Sequence, residues 1–236
     1  MKNPWVVIPT YNERENIREL VPALFRLSLE NLSVLIVDDS SPDGTGAVVQ
    51  QLSGKYPNLK LETRPRKSGL GRAYIHGFSF ALKHGADAVI QMDADFSHDP
   101  ADVPKLLAAL LENNADLVIG SRYVDGIRII NWPLRRLILS TAANLYARVV
   151  TGIPLTDITG GFRAWRSTAL RAVDLESVDA DGYGFQIVMT HRAWKNNKSV
   201  SEVPIIFTER RAGQSKMSRG IVWEAFWLVW KLKFFG

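Results

Sequence analysis

The first half of the chain alternates short β-branched runs with longer stretches in which apolar positions recur three and four apart, the pattern of strands wrapped by helices. Trp5 to Ile8 predicts a first strand. Val34 to Val37 predicts a second, apolar at every position, as expected of a central parallel strand buried on both faces. Leu59 to Glu62, Ala88 to Met92 and Leu117 to Ile119 predict three more. Between them, Asn12 with Glu15 three residues later resembles a capping box opening a helix that runs to about Leu27. Pro42-Asp-Gly44 turns the chain into a helix ending near Tyr56, Gly69-Leu-Gly71 opens another, and a further helix is expected from about Asp102 to Glu112. The succession predicts an α/β fold with a mostly parallel sheet flanked by helices. The second half is less regular. It holds an apolar-faced helix across residues 131–150, a strand from Val203 to Phe207, and an amphipathic C-terminal helix.

Length and composition narrow the picture. At 236 residues the chain suits one catalytic domain, divided by its patterning into 1–122, 123–218 with a basic loop, and a terminal helix over 219–236. The absence of cysteine excludes disulfides and thiolate metal sites. Trp5 to Pro9 is too short for a signal segment and no apolar run is long enough to span a bilayer, so a cytoplasmic protein is expected. A formal charge of +5 points to anionic partners: phosphates, nucleic acid or acidic lipid. It does not choose among them.

In open α/β sheets, ligands bind beyond the carboxyl ends of the strands. There the sequence places Pro9-Thr-Tyr11-Asn-Glu13, then Asp38-Asp39, then Asp93-Ala94-Asp95, then Ser121-Arg122. Turn and capping chemistry explains any one of these and explains all four poorly. Asp93 and Asp95 stand one residue apart directly after an apolar strand, a placement from which both can reach a hard cation such as Mg²⁺ or Mn²⁺. Asp39 lies where a carboxylate can accept from a nucleotide base or ribose, with Tyr11 and Glu13 nearby, whereas Asp38 could equally be a satisfied buried cap. After the strand at Val203, Glu209 to Lys216 forms a glycine-containing basic loop. Its Arg210 and Lys216 could fold over a diphosphate or simply face solvent.

Asn131 to Ser140 combines Trp132, the paired Arg135 and Arg136, and an apolar run. Trp223, Trp227, Trp230 and Phe234 recur at helical spacing beside Lys231 and Lys233. Tryptophan with lysine suits a helix lying in a bilayer interface, and an aromatic stripe equally suits docking on the protein's own core.

Seven segments carry a resemblance: Ile8-Pro-Thr-Tyr-Asn-Glu-Arg-Glu-Asn16, Val37-Asp-Asp-Ser-Ser-Pro-Asp-Gly44, Gly69-Leu-Gly71, Met92-Asp-Ala-Asp-Phe-Ser-His98, Gly120-Ser-Arg-Tyr123, Asp157-Ile-Thr-Gly-Gly-Phe-Arg163 and Arg210-Arg-Ala-Gly-Gln-Ser-Lys216. In this order they resemble the polyprenyl-phosphate mannosyltransferases, the dolichol-phosphate-mannose synthase group within glycosyltransferase family 2. The resemblance implies a GT-A fold, a GDP-mannose donor, a Mg²⁺ or Mn²⁺ ion and a polyprenyl phosphate acceptor. Pro9, Tyr11, Glu13, Val37 and Asp39 would then hold the nucleotide, and Asp93, Ala94 and Asp95 the metal and diphosphate. Arg210 and Lys216 would contact the diphosphate; Arg122, Arg136 and Ser140 would receive the acceptor phosphate. Some relatives carry a glutamine ligand two residues after the second aspartate, where this chain has Ser97. Some also carry C-terminal membrane helices, which this pattern lacks, so a peripheral position on the cytosolic membrane face is expected, with or without an integral-membrane partner. Inverting transfer without a catalytic base is expected. The rival readings are a UDP-sugar transferase of the same fold and a non-catalytic nucleotide-sugar-binding subunit. Nucleic acid is not an expected partner, because no recognised nucleic-acid motif accompanies the basic charge.

Overall fold

A computed structural model describes residues 1–180, 182–209 and 227–234. In chain order its first half runs β1 (Pro4–Thr10), α1 (Arg14–Phe25), β2 (Ser33–Asp38), α2 (Thr45–Ser53), β3 (Leu59–Thr63), α3 (Leu70–Lys83), β4 (Ala88–Gln91), α4 (Val103–Glu112) and β5 (Leu117–Ser121). The second half runs β6 (Ile129–Ile130), α5 (Leu134–Thr151), β7 (Arg163–Arg166), α6 (Ser167–Ala172), α7 (Gly182–Lys195), β8 (Val200–Pro204) and β9 (Phe207–Thr208). Residues 227–234 are helical.

Seven strands form one sheet in the order β3-β2-β1-β4-β7-β5-β8, and β6 pairs with β9 in a separate two-stranded ribbon. Only β7 runs against its neighbours in the large sheet. Strands from beyond residue 122 are therefore hydrogen-bonded into the same sheet as those before it. The sheet is buried on both faces, which is why β1, β2 and β4 read as unbroken apolar runs. Alternate side chains feed two cores. Val6, Ile8, Val34 and Ile36 pack with α1, α2 and α4. Val7, Leu35, Val37 and Val89 pack with α3, α6 and α7.

Helix α3 approaches the sheet at Gly77, where an added Cβ would lie 2.4 Å from Cγ1 of Val7 and 3.1 Å from Cγ2 of Val37. Both neighbours are fully buried β-branched residues that cannot turn away. Gly77→Ala is expected to destabilise the fold by about 1–3 kcal/mol despite alanine's better helix propensity. Urea unfolding checks this, and a variant as stable as the parent would show that the helix shifts freely.

Three sequence expectations are corrected. The capping box does not form: Asn12 has φ 62°, and α1 begins at Arg14 with no side-chain cap from its own N-terminus. Asp43 does that work from the next loop, accepting Arg14 N–H at 3.0 Å and, from Thr45, N–H at 2.9 Å and Oγ1–H at 2.6 Å. Partial burial pushes the Asp43 carboxyl up, but these donors outweigh it and hold it below the usual aspartate range. The second correction is the strand over Val203 to Phe207, which divides into β8 and β9 directly after Pro204, a residue with no N–H to continue a ladder. The third is α2, which stops at Ser53, whose hydroxyl bonds back to Val49 O.

Candidate active site

The carboxyl ends of β1, β2, β4 and β5 converge on one edge, because these strands share a direction and lie close in the sheet order. After β2 the two aspartates part company. Asp38 is 2% exposed and accepts from Thr10 Oγ1, Ser41 N and Ser41 Oγ, so it is a structural cap. Asp39 instead faces Arg64 Nε at 3.1 Å. Burial pushes its carboxyl up, against the pull of Arg64, and Asp38 adds to the rise. Tyr11 projects to the surface with Lys67 Nζ 4.0 Å above its ring, Glu13 accepts from Asn16, and Pro9 is half-buried. Val37 has no exposed surface and packs beneath Gly77, so only its backbone can face a nucleotide.

The turn after β4 carries Asp93 and Asp95, both half-buried around a buried Ala94. One oxygen of each carboxylate is fixed by a hydroxyl: Tyr74 donates to Asp93 Oδ1 at 2.7 Å, and Ser97 donates to Asp95 Oδ1 at 2.5 Å. Burial first, then the adjacent Asp93 charge, push the Tyr74 hydroxyl well above an ordinary phenol, so it stays a donor. Asp93 N–H donates to His98 Nδ1 at 3.1 Å, which leaves the ring proton on Nε2. Burial lowers the His98 pKa despite both carboxylates, and the neutral ring stacks on Phe162 at 4.9 Å. Gly161 lies beside Asp93, and a Cβ added there would meet Asp93 Oδ2 at an ordinary contact distance of 3.8 Å. Two half-buried carboxylates one residue apart, each with one oxygen fixed by a hydroxyl, have the chemistry to hold a hard divalent cation.

Arg122, after β5, makes a buried two-point pair with Asp157 at 2.7 and 2.6 Å and adds a bond to Thr159 Oγ1. Arg122 N–H also donates to Asp157. Burial pushes Asp157 up, but Arg122 wins and holds its carboxyl below the usual range. The surrounding loop is tied from three sides. Glu202 of β8 accepts Thr156 N–H and Asp157 N–H, Asn144 of α5 accepts Thr159 N–H, and Arg163 donates to the carbonyls of Ile158 and Gly160. Arg136 pairs with Glu209 at 2.7 Å and lies 4.0 Å over the Trp132 ring. Ser140 accepts from the Tyr123 hydroxyl at 2.8 Å.

Tyr74, Asp157, Glu209 and Arg64 were assigned no role by sequence reasoning. Tyr74 has the pattern of an ordinary core aromatic, and the others reveal themselves only by the partner each meets. Arg210, Lys216 and Trp223 lie outside the described residues.

A mostly parallel α/β sheet with a paired-carboxylate turn at its carboxyl edge and a cluster of ion-paired arginines beside it defines a GT-A-type transferase domain. The chain belongs to glycosyl transferase family 2, whose profile matches residues 5–174. It is 48% identical over 219 residues to the undecaprenyl-phosphate mannosyltransferase of Micrococcus luteus, covering 93% of this chain and 89% of that protein. It is 48% identical over 225 residues to the polyprenol monophosphomannose synthase of Mycolicibacterium smegmatis, covering 95% and 84%. Among solved structures it resembles glucosyl-3-phosphoglycerate synthase from Mycobacterium tuberculosis in complex with Mn²⁺, uridine diphosphate and phosphoglyceric acid. The TM-score is 0.71 at 19% identity, over 97% of this chain and 78% of that one, a likeness of fold.

Proposed function

We propose that this protein transfers mannose from GDP-mannose to a polyprenyl monophosphate with inversion at the anomeric carbon. The observation that carries this is the nearly full-length 48% identity to two polyprenyl-phosphate mannosyltransferases. The donor's base and ribose lie against Tyr11, Glu13 and Asp39, and its diphosphate lies toward Asp93, Ala94 and Asp95. Arg210 and Lys216 complete the diphosphate site. Asp93 and Asp95 would hold a Mg²⁺ or Mn²⁺ ion, which when bound neutralises charge on the departing diphosphate. Tyr74, Ser97 and His98 keep that turn in shape.

One oxygen of the acceptor phosphate forms the new bond to the anomeric carbon while the bond to the nucleoside diphosphate breaks, its electron pair leaving on the diphosphate oxygen. A phosphate monoester is already ionised near neutral pH, with a second pKa of about 6, so no general base is needed. His98 fits that economy: it is buried, neutral and occupied with Asp93 N–H. Arg122, Arg136 and Ser140 receive the acceptor phosphate and set its line of approach. Transfer of radiolabelled mannose to a short polyprenyl phosphate, with Mg²⁺ or Mn²⁺ and then with EDTA, tests the reading. Transfer only from UDP-sugars, or tight donor binding without transfer, would replace it.

The lipid acceptor calls for a membrane surface, and no helix of the described residues is long and apolar enough to cross one. Helix α5 turns Asn144, Ala147 and Val150 inward and leaves Leu134, Ile138, Leu145 and Val149 exposed. At about 100° per residue those four fall within an arc of about 60°, flanked on either side by the exposed Arg135 and Arg148. Trp230 of the terminal helix and Tyr146 of α5 pack against the same core, and Trp227 and Phe234 stay exposed. An apolar stripe edged by arginine and tryptophan fits the cytosolic face of an anionic membrane. Ile138→Asp is expected to weaken binding to phosphatidylglycerol-containing vesicles about tenfold while leaving GDP binding unchanged. Equal vesicle binding by both proteins would move the membrane contact elsewhere.

A further inference from the structure

Glu209 meets Arg136 end-on, with both carboxylate oxygens taking hydrogen bonds from Nη1, at 2.7 and 2.5 Å. The side edge of the guanidinium, the edge suited to two-point pairing with phosphate, is left over. Its Nε is buried with no hydrogen-bond partner among the described residues, and so is the indole Nε1 of Trp132. The two orphaned donors belong to stacked neighbours, since Arg136 lies 4.0 Å over the Trp132 ring. Arg122 stands 5.6 Å from the same ring, and the edge of Phe207 meets it at 5.4 Å. The indole is therefore in reach of both guanidinium groups and is itself held in place. Buried donors without acceptors are uncommon, because each has given up its hydration for nothing. Two such donors on stacked neighbours, one of them a cation, call for an anion with more acceptor oxygens than a carboxylate has.

We propose that Trp132 is a substrate-binding residue of the acceptor-phosphate seat. Its indole N–H and the Nε–H of Arg136 form a two-donor edge for the phosphate of the polyprenyl monophosphate, which displaces Glu209 from Arg136. A phosphate monoester has three terminal oxygens, enough for Nε and Nη2 of the side edge and the indole together, and its charge repels the carboxylate that spends both of its oxygens on Nη1. A dianion also outcompetes a monoanion for one guanidinium. The inference rests on the acceptor assigned above.

The test is steady-state mannosyl transfer by the full chain to a short-chain polyprenyl phosphate, varying donor and acceptor separately. Trp132→Phe keeps the aromatic face for both arginines and deletes the N–H. It is expected to raise the acceptor KM about tenfold, with kcat within about twofold and the donor KM unchanged. Trp132→Leu, which also removes the aromatic face, should raise the acceptor KM further. Glu209→Gln weakens the resident anion and should lower the acceptor KM severalfold. A wild-type acceptor KM in Trp132→Phe, or donor and acceptor KM rising together, would overturn the role of the indole. An unchanged acceptor KM in Glu209→Gln would overturn the displacement. A wild-type protein that forms no mannosyl lipid overturns the functional reading and this inference together; an active wild type with an indifferent Trp132→Phe overturns only the inference.

Discussion

Asp95→Ala should lower mannosyl transfer by about three orders of magnitude with the fold intact. The expectation follows from where the charge goes. In the displacement proposed here the acceptor arrives already ionised, so the barrier lies in accommodating the negative charge of the departing diphosphate. The carboxylate pair after β4 is where the proposed cation would sit. The Oδ1 of Asp95 takes hydrogen bonds from Ser97, two residues away. Asp93 is tied to Tyr74 across the domain and, through its N–H, to His98. Mn²⁺ binding followed by electron paramagnetic resonance separates metal loss from general damage. Asp95→Ala should abolish tight Mn²⁺ binding, and Tyr74→Phe should weaken it about tenfold by freeing the Asp93 carboxylate. A variant that retained both Mn²⁺ affinity and a tenth or more of the activity would remove Asp95 from the metal site.

Strands β1, β2, β4 and β5 could be read from the chain because they are mostly apolar on both faces, whereas β7, Arg163–Arg166, carries arginine at both ends and gave no such pattern. The edge that carries the candidate site followed, since chain direction alone puts Tyr11, Asp39, Asp93 and Asp95 at strand ends. What stayed hidden was every role decided by a distant partner. Asp43 caps α1 from a loop 29 positions away, and no local motif shows this. Arg122 and Asp157 are 35 positions apart, and each belongs to a recognisable segment that gives no sign of the other. The terminal aromatic stripe admitted docking or membrane contact, and the described part divides by residue. Val229 and Leu232 enter the core while Trp227 and Phe234 face outward. Helical spacing fixes which residues share a face, but only packing decides which face turns inward.

Asp157→Asn should destabilise the protein by about 3–5 kcal/mol, because it leaves the Arg122 guanidinium buried without its counter-charge. Asp157 is fully buried and Arg122 is 4% exposed, so water cannot stand in for the lost carboxylate. The amide can still accept one hydrogen bond from Arg122, but it offers an N–H₂ where a second acceptor is needed. The pH dependence has a definite sign. The folded Asp157 carboxyl is held below its ordinary value, so the pair's contribution is complete above the unfolded pKa of about 4 and is lost as pH falls through the folded value. Denaturant midpoints of parent and variant should therefore differ most from neutral pH down to about pH 5 and converge in stronger acid. Equal midpoints at pH 7 would mean that the pair contributes little. The paired replacement Arg122→Met with Asp157→Leu carries the argument to function. It removes both charges and should recover much of the lost stability. If Arg122 serves only the fold, acceptor kinetics should recover with it. If the guanidinium also receives the acceptor phosphate, the double variant should be stable, bind GDP normally and still show a raised KM for polyprenyl phosphate.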